Sequence, residues 1–182
     1  MGVLIFLFVI LTVIIIVNVL AGSLLVGLVQ TGGVPFVSTP KQDFDAILQA
    51  AEIRPGEKIY DLGCGKGNLL IRAVKKYGAQ AVGYELALWP YVWARWKILL
   101  SGAKMEIHLA DFFKADISQA DVVFCYLMPH IVNKLRDKLK KELKPGSRVV
   151  CYAFKFRDWL PTREVITNDD NEELGKIFVY KI

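Results

Sequence analysis

Residues 59–68, reading IYDLGCGKGN, constrain the fold more than any other stretch of the chain. An apolar run of buried-strand character reaches Asp61 and breaks into Gly63-Cys64-Gly65-Lys66-Gly67, and a helical pattern follows with Leu69, Leu70, Ala73 and Val74. Strand, glycine turn and helix in that order make a cradle for a nucleotide-type ligand. Glycines let a ligand lie against the backbone, and the N–H groups of the turn and helix N-terminus point at it. No Gly-Lys-Ser/Thr follows at P-loop spacing, and the third glycine comes one residue too early for the dinucleotide fingerprint G-x-G-x-x-G.

From residue 58 onward, strand and helix alternate. Strands are predicted at Lys58–Leu62, 79–85, Met105–Leu109, 122–127 and 148–154, with helices at Asn68–Tyr77, 89–101 and 130–143. Alternation of this kind predicts a parallel sheet with helices on both faces. Two further strand runs, 163–167 and 176–182, flank the turn-rich Asn168-Asp169-Asp170-Asn171 and read as a hairpin. The expected fold is α/β: a Rossmann-like, seven-stranded, mostly parallel sheet with an antiparallel last strand.

Asp61-x-Gly63-x-Gly65-x-Gly67 resembles motif I of the class I S-adenosylmethionine (SAM) methyltransferases. That resemblance gives the strand-end residues candidate roles, because ligands of such sheets bind outside the carboxyl ends of the strands. Gly63, Cys64, Gly65 and Gly67 would line the ligand, and Asp61 would orient the turn or the ligand's ammonium group. Glu85, 22 residues after Gly63, would accept the ribose hydroxyls. Asp111 would accept the adenine amino group, with Phe112 stacked on the base. Tyr126 and Met128, at the end of the fourth strand, would face the methyl group; core packing competes for Met128. A solvated strand-end Glu, a turn-capping Asp and an ordinary strand–helix turn are the plain alternatives.

Charge divides the chain. The first charged side chain is Lys41, so all 23 Lys+Arg and all 18 Asp+Glu lie beyond residue 40. Residues 3–29 are apolar except for Thr12, Asn18, Ser23 and two glycines, which exceeds the roughly 20 residues a bilayer-spanning helix needs. No basic n-region and no short apolar core mark a cleavable signal. The expected organisation is a single transmembrane helix at 1–30, a linker and lid helix at 31–57, and the methyltransferase domain at 58–182. Lys41, Arg54 and Lys58 follow the span and nothing basic precedes it, so the domain is expected on the cytoplasmic side. The net charge of +5 fits a nearby anionic surface and is too small to argue for nucleic acid. Three cysteines without a C-x-x-C pair and only two histidines leave no credible metal site. Cys64, Cys125 and Cys151 are expected to be reduced and buried, as in a cytosolic domain.

Thr39 reads as an N-cap with Pro40 at the first helical position, opening a helix with apolar Phe44, Ile47, Leu48 and Ala51. Alternatively the segment packs over the pocket and touches the substrate. The aromatic residues Trp89, Tyr91, Trp93 and Trp96 fit either the core or a substrate groove. The helix at 130–143 has apolar Ile131, Leu135, Leu139 and Leu143 opposite five cations; it reads as a solvated amphipathic helix, with anionic lipid contact the minor reading.

Several runs together resemble a narrower family. They are Pro35-Phe36-Val37-Ser38-Thr39, the glycine turn, Gly83-Tyr84-Glu85-Leu86 with Trp89, Asp111-Phe112-Phe113-Lys114, and Lys138 through Gly146. Arg148-Val149-Val150 with Phe154 and Trp159 completes the set. They are similar to the membrane-anchored lysine methyltransferases of the adenine nucleotide translocase and the ATP synthase c-subunit, which have prokaryotic relatives. The resemblance covers about residues 34–182. It implies SAM-dependent N-methylation of a lysine in a membrane-associated protein, with Phe36, Thr39 and Trp89 on the substrate side. Lys66 stands where that family usually has Asp, and Ala87-Leu88 where it usually has Asn-Pro. Methyl transfer relies on positioning, so Tyr126 and Thr39 are expected as positioning residues rather than acid or base. Methylation of a lipid or quinone-like small molecule, and a non-catalytic SAM-binding module, are the alternatives.

Overall fold

The structure is a computed structural model that describes residues 2–30, 39–167 and 175–182, with the backbone alone over 23–30. Its strands are β1 (Lys58–Leu62), β2 (Gln80–Glu85), β3 (Met105–Leu109), β4 (Val122–Cys125), β5 (Arg148–Tyr152), β6 (Arg163–Ile166) and β7 (Lys176–Lys181). They form one sheet in the order β3-β2-β1-β4-β5-β7-β6. Pairings from β3 through β5 are parallel, and β7 runs antiparallel to both β5 and β6. The seven strands and the antiparallel last strand are as expected from the sequence. The predicted turn at 168–171 lies outside the described residues, but Thr167 N–H donates to the Gly175 carbonyl at 2.7 Å, which closes the hairpin.

Chain order reverses between β1 and β4. A crevice therefore opens at their carboxyl ends, with Asp61 on one side and Cys125-Tyr126 on the other. β1 and β4 show why the sheet is central: Ile59, Leu62, Val122 and Val123 are fully buried, as strands covered on both faces must be.

The helices are α1 (Gly2–Gln30), α2 (Phe44–Ala50), α3 (Asn68–Tyr77), α4 (Leu88–Ser101) and α5 (Pro129–Glu142). One sheet face carries α2, α3 and α4 over Ile59, Ala81, Val122 and Val150. The other carries α5, whose Val132, Leu135 and Leu139 pack on Leu62, Val123 and Val149. The basic side chains of α5 are largely engaged locally. Lys138 pairs with Glu142 at 2.7 Å, Arg136 pairs with Asp137 and Asp158, and Lys140 sits 4.9 Å over the Trp159 ring.

Some boundaries differ from expectation. β4 stops at Cys125 and β5 at Tyr152, where Pro129 opens α5 early and Ala153 takes φ 66°. The residue capping the segment before α2 is Pro40 rather than Thr39. Pro40 is extended (φ −57°, ψ 134°), a short 3-10 turn (Lys41–Asp43) follows, and Asp43 N–H donates to the Pro40 carbonyl at 3.1 Å. The Asp43 side chain does not cap α2 because it accepts a hydrogen bond from the Tyr152 hydroxyl at 2.6 Å. The predicted apolar positions Phe44, Ile47, Leu48 and Ala51 are all buried.

This pre-core segment is fastened on three sides. Arg148, buried on β5, donates to the Glu52 carbonyl at 2.7 Å and to Glu57 at 2.6 Å. Arg163 on β6 binds Glu52 and the Ala50 carbonyl, and Asp45 pairs with Arg72 and Lys76 of α3. It is a fixed wall of the domain rather than a free flap.

The close fit between β2 and the glycine turn rests on Gly83. A Cβ there would stand 2.7 Å from Cys64 Sγ and 3.0 Å from Leu70 Cδ1. Gly83→Ala is expected to lower stability by about 1–3 kcal/mol through overpacking. Adding Cys64→Ala should restore part of the loss, since it removes the sulfur. Denaturant unfolding of the two variants checks this.

Candidate active site

The site is built from the carboxyl end of β1. Gly63, Gly65 and Gly67 all take positive φ (91°, 54° and 69°), a region side chains rarely adopt. Gly63 and Cys64 N–H groups both donate to the Tyr84 carbonyl at 2.9 Å, and Gly67 N–H donates to the Cys64 carbonyl at 2.9 Å. Glu85 completes the clamp: its Oε2 accepts Gly65 N–H at 2.8 Å and its Oε1 accepts Ala87 N–H at 2.8 Å. The predicted ribose acid therefore also fixes the turn. Each of its oxygens keeps lone-pair capacity for a second donor. Burial pushes the Glu85 carboxyl up, and its backbone N–H partners at Ala87, Gly65 and Leu86 offset part of that.

Asp61 is buried, and among the described residues no group donates a hydrogen bond to its carboxylate. Burial, and then repulsion from Glu85, raise its pKa from 3.8 to about 7. Cys64 is buried beside it, and burial followed by the two carboxylates pushes its thiol far above the usual range. Its sulfur packs against Gly83 of β2.

A cavity of ≈ 60 Å³ lies over this turn. It is lined by Asp61, Gly63 and Cys64 of β1 and the turn, by Thr39, Phe44 and Ile47 of the segment before the core, and by Tyr126 and Tyr152 at the ends of β4 and β5. Tyr126 meets Tyr152 edge-on, with ring centroids 5.0 Å apart. The hydroxyl of Tyr152 is committed to Asp43, and burial followed by that carboxylate pushes its pKa up.

The structure thus brings Thr39, Asp61, Gly63, Cys64 and Tyr126 together in one cavity, with Gly65, Gly67 and Glu85 bracing the turn. Asp111 lies along the same sheet edge, since Ala110 N–H donates to the Glu85 carbonyl at 3.0 Å; its own Oδ1 caps Phe113 N–H at 2.9 Å. Phe112 packs toward the α5 face, against Phe113 at 4.8 Å. Trp89 stands 41 % exposed on α4. Met128 sits at the N-cap of α5, its carbonyl accepting Ile131 and Val132 N–H. None of these last four lines the cavity, and Phe36 lies outside the described residues. Sequence reasoning missed Asp43, Phe44, Ile47 and Tyr152 as site residues. The Tyr152–Asp43 contact joins residues 109 apart, for which no local pattern gives a signal.

These residues suit SAM. A buried carboxylate with no donor among the described residues faces the cavity where a cationic ligand end would lie, and the turn presents bare backbone. A Cβ on Gly63 would meet Leu127 Cδ2 at 3.2 Å.

Comparison with known proteins agrees. Residues 61–163 match the model of the ANTKMT methyltransferase domain family. A protein-lysine N-methyltransferase of Saccharolobus islandicus is 37% identical over 152 residues, covering 82% of this chain and 94% of that protein. The chain belongs to this methyltransferase family. The human lysine N-methyltransferase of the ATP synthase c-subunit is 31% identical over 129 residues, covering 70% of this chain and 54% of its own length. The chain thus spans about half of that relative. Among solved structures, an RNA methyltransferase from Salinibacter ruber in complex with S-adenosyl-L-homocysteine superposes with a TM-score of 0.75 at 35% identity. It covers 80% of this chain and 94% of the other. The chain is a methyltransferase with S-adenosyl-L-methionine as its cofactor.

Of the two departures noted in the sequence, Lys66 falls in the glycine turn and Ala87 caps α4. Lys66 lines the cavity in place of the usual Asp. Ala87, in place of Asn, supplies only its backbone N–H to Glu85.

The raised pKa of Asp61 has a definite sign. Its folded value lies above its unfolded value, so the cofactor-free protein loses stability from this group as pH rises from about 4 to 7. A bound cation favours the charged carboxylate, so SAM affinity should rise by up to about tenfold per pH unit below 7 and level off above it. Asp61→Asn should abolish that slope, weaken binding at pH 8 by at least about tenfold and stabilise the cofactor-free protein there. Calorimetric titration between pH 5.5 and 8, with thermal unfolding of both proteins, checks all three.

Proposed function

We propose that this methyltransferase is a membrane-anchored enzyme that N-methylates a lysine of a membrane-associated protein. The observation that carries it is the cavity of ≈ 60 Å³ between the glycine turn and the apolar and aromatic side chains of Phe44, Ile47, Tyr126 and Tyr152. The names of its relatives point the same way. When bound, SAM supplies an electrophilic sulfonium methyl. Thr39 and Tyr126, which both line the cavity, position the incoming amine. The amine must arrive unprotonated; a free lysine titrates at roughly 10.4, and desolvation between Phe44, Tyr126 and Tyr152 lowers that value. No acid or base is required, because alignment supplies most of the rate.

Membrane anchorage is supported by α1. Gly2–Gly22 is 21 residues long with mean hydropathy 3.3 and no burial in the domain, long and apolar enough to cross a bilayer. Its polar side chains do not disturb this: Thr12 and Asn18 bond back to the carbonyls of Phe8 and Ile14 at 2.8 Å. The basic residues that follow the span favour a cytoplasmic domain.

Membranes incubated with the full-length enzyme and methyl-labelled SAM, then separated into protein, lipid and RNA, test the reading. Label is expected in a protein band as methyl-lysine after hydrolysis, and is expected to vanish with Glu85→Ala. Label in lipid or RNA without label in protein would overturn the reading. Tyr126→Ala should lower kcat at least about tenfold with SAM affinity changed less than about threefold, as loss of alignment requires.

A further inference from the structure

Helix α4 exposes apolar side chains across its outer face. Leu88, Trp89, Trp93, Trp96, Leu99 and Leu100 are 51, 41, 56, 61, 77 and 78 % exposed. Trp89, Trp93, Trp96 and Leu100 are spaced four, three and four residues apart, so they make one continuous outer stripe. The opposite side of the helix packs normally: Ala94 is fully buried, and Tyr91 and Ile98 lie against the core. A soluble surface rarely presents so large a contiguous apolar patch without an occupant.

Three observations identify the occupant. The backbone of α1, the candidate membrane span, comes near α4. The exposed stripe therefore belongs to the helix that lies beside the candidate span. Its composition is that of the interface, where tryptophan's large amphipathic ring settles at headgroup level and leucine reaches the acyl chains. Arg95, exposed on α4, supplies a cation that suits anionic headgroups, while the Lys97 ammonium donates to Asn68 Oδ1 at 2.6 Å. By contrast, α5 lies on the other sheet face and its cations are mostly engaged, so it is not the bilayer-facing helix.

We propose that α4 is an interfacial helix whose Trp89, Trp93, Trp96 and Leu100 stripe lies in the headgroup region of the same bilayer that α1 spans. This rests on the membrane-anchored reading and extends it. α4 follows closely on Glu85, with only Leu86 and Ala87 between them, so docking it holds the cofactor crevice at the membrane surface. Targets would then be lysines at the bilayer boundary rather than on distant soluble domains.

Depth-dependent fluorescence quenching tests this on the full-length chain in vesicles containing anionic lipid. Of its four tryptophans, only Trp159 lies off α4, packed on Phe156 and Tyr180. Lipids brominated near the top of the acyl chain should quench wild-type emission by about half or more. In the Trp89→Phe, Trp93→Phe, Trp96→Phe variant, which leaves the core intact and only Trp159 emitting, quenching should fall to about a tenth. Emission unaffected by bromolipid but quenched by aqueous iodide, in protein that floats with the vesicles, overturns the proposal and leaves anchorage standing. Emission unaffected by both places a protein surface over α4 and equally overturns it. Protein that fails to float removes both the docking helix and the anchor, while the methylation assay still reports independently on the chemistry.

Discussion

The clamp between the end of β2 and the glycine turn holds the site together. Tyr84 offers one carbonyl to two N–H groups of the turn, and Glu85 offers a carboxylate to a third. A turn of three glycines has little conformational preference of its own, and ordering it costs entropy. Its shape must therefore come from the neighbouring strand. Gly83 lets that strand approach, because its missing side chain is where Cys64 sits. The same contacts that rigidify the turn also bury two carboxylates side by side.

That burial has a cost and a use. Asp61 and Glu85 repel each other in a poorly solvated site, which disfavours ionising Asp61 until a cation arrives. A cationic ligand placed against Asp61 would favour its charged form. Sites that bind cations through buried carboxylates concentrate stability loss where affinity is gained.

Away from the turn, order comes from outside the cofactor motif. The segment 39–57 contributes Thr39, Phe44 and Ile47, yet its own helix is only seven residues long. It is too short to persist alone and takes its place through Arg148, Arg163, Asp45 and the Asp43–Tyr152 hydrogen bond. The aromatic pair and the segment before the core are one unit, since Tyr152 joins them. This coupling fixes the cavity lining, which suits a reaction driven by alignment.

The fold class, the seven strands, the antiparallel closing pair and the cofactor turn were all legible in the chain before any contact was known, because they follow from local periodicity and glycine chemistry. The same reading places Asp61 and Glu85 at the ends of their strands, where the structure has them. Packing settled the remainder. Pro40 displaced Thr39 as the cap, and Asp43 was drawn to a tyrosine 109 residues away. Asp111, Phe112, Trp89 and Met128 do not line the cavity, because a residue's place on a strand end or helix does not fix the direction of its side chain. Tyr91 turned inward while Trp89, Trp93 and Trp96 turned outward, a choice set by where the sheet lies rather than by composition. Residues near in sequence constrain one another through backbone geometry; residues far apart do so only once packing has brought them into contact.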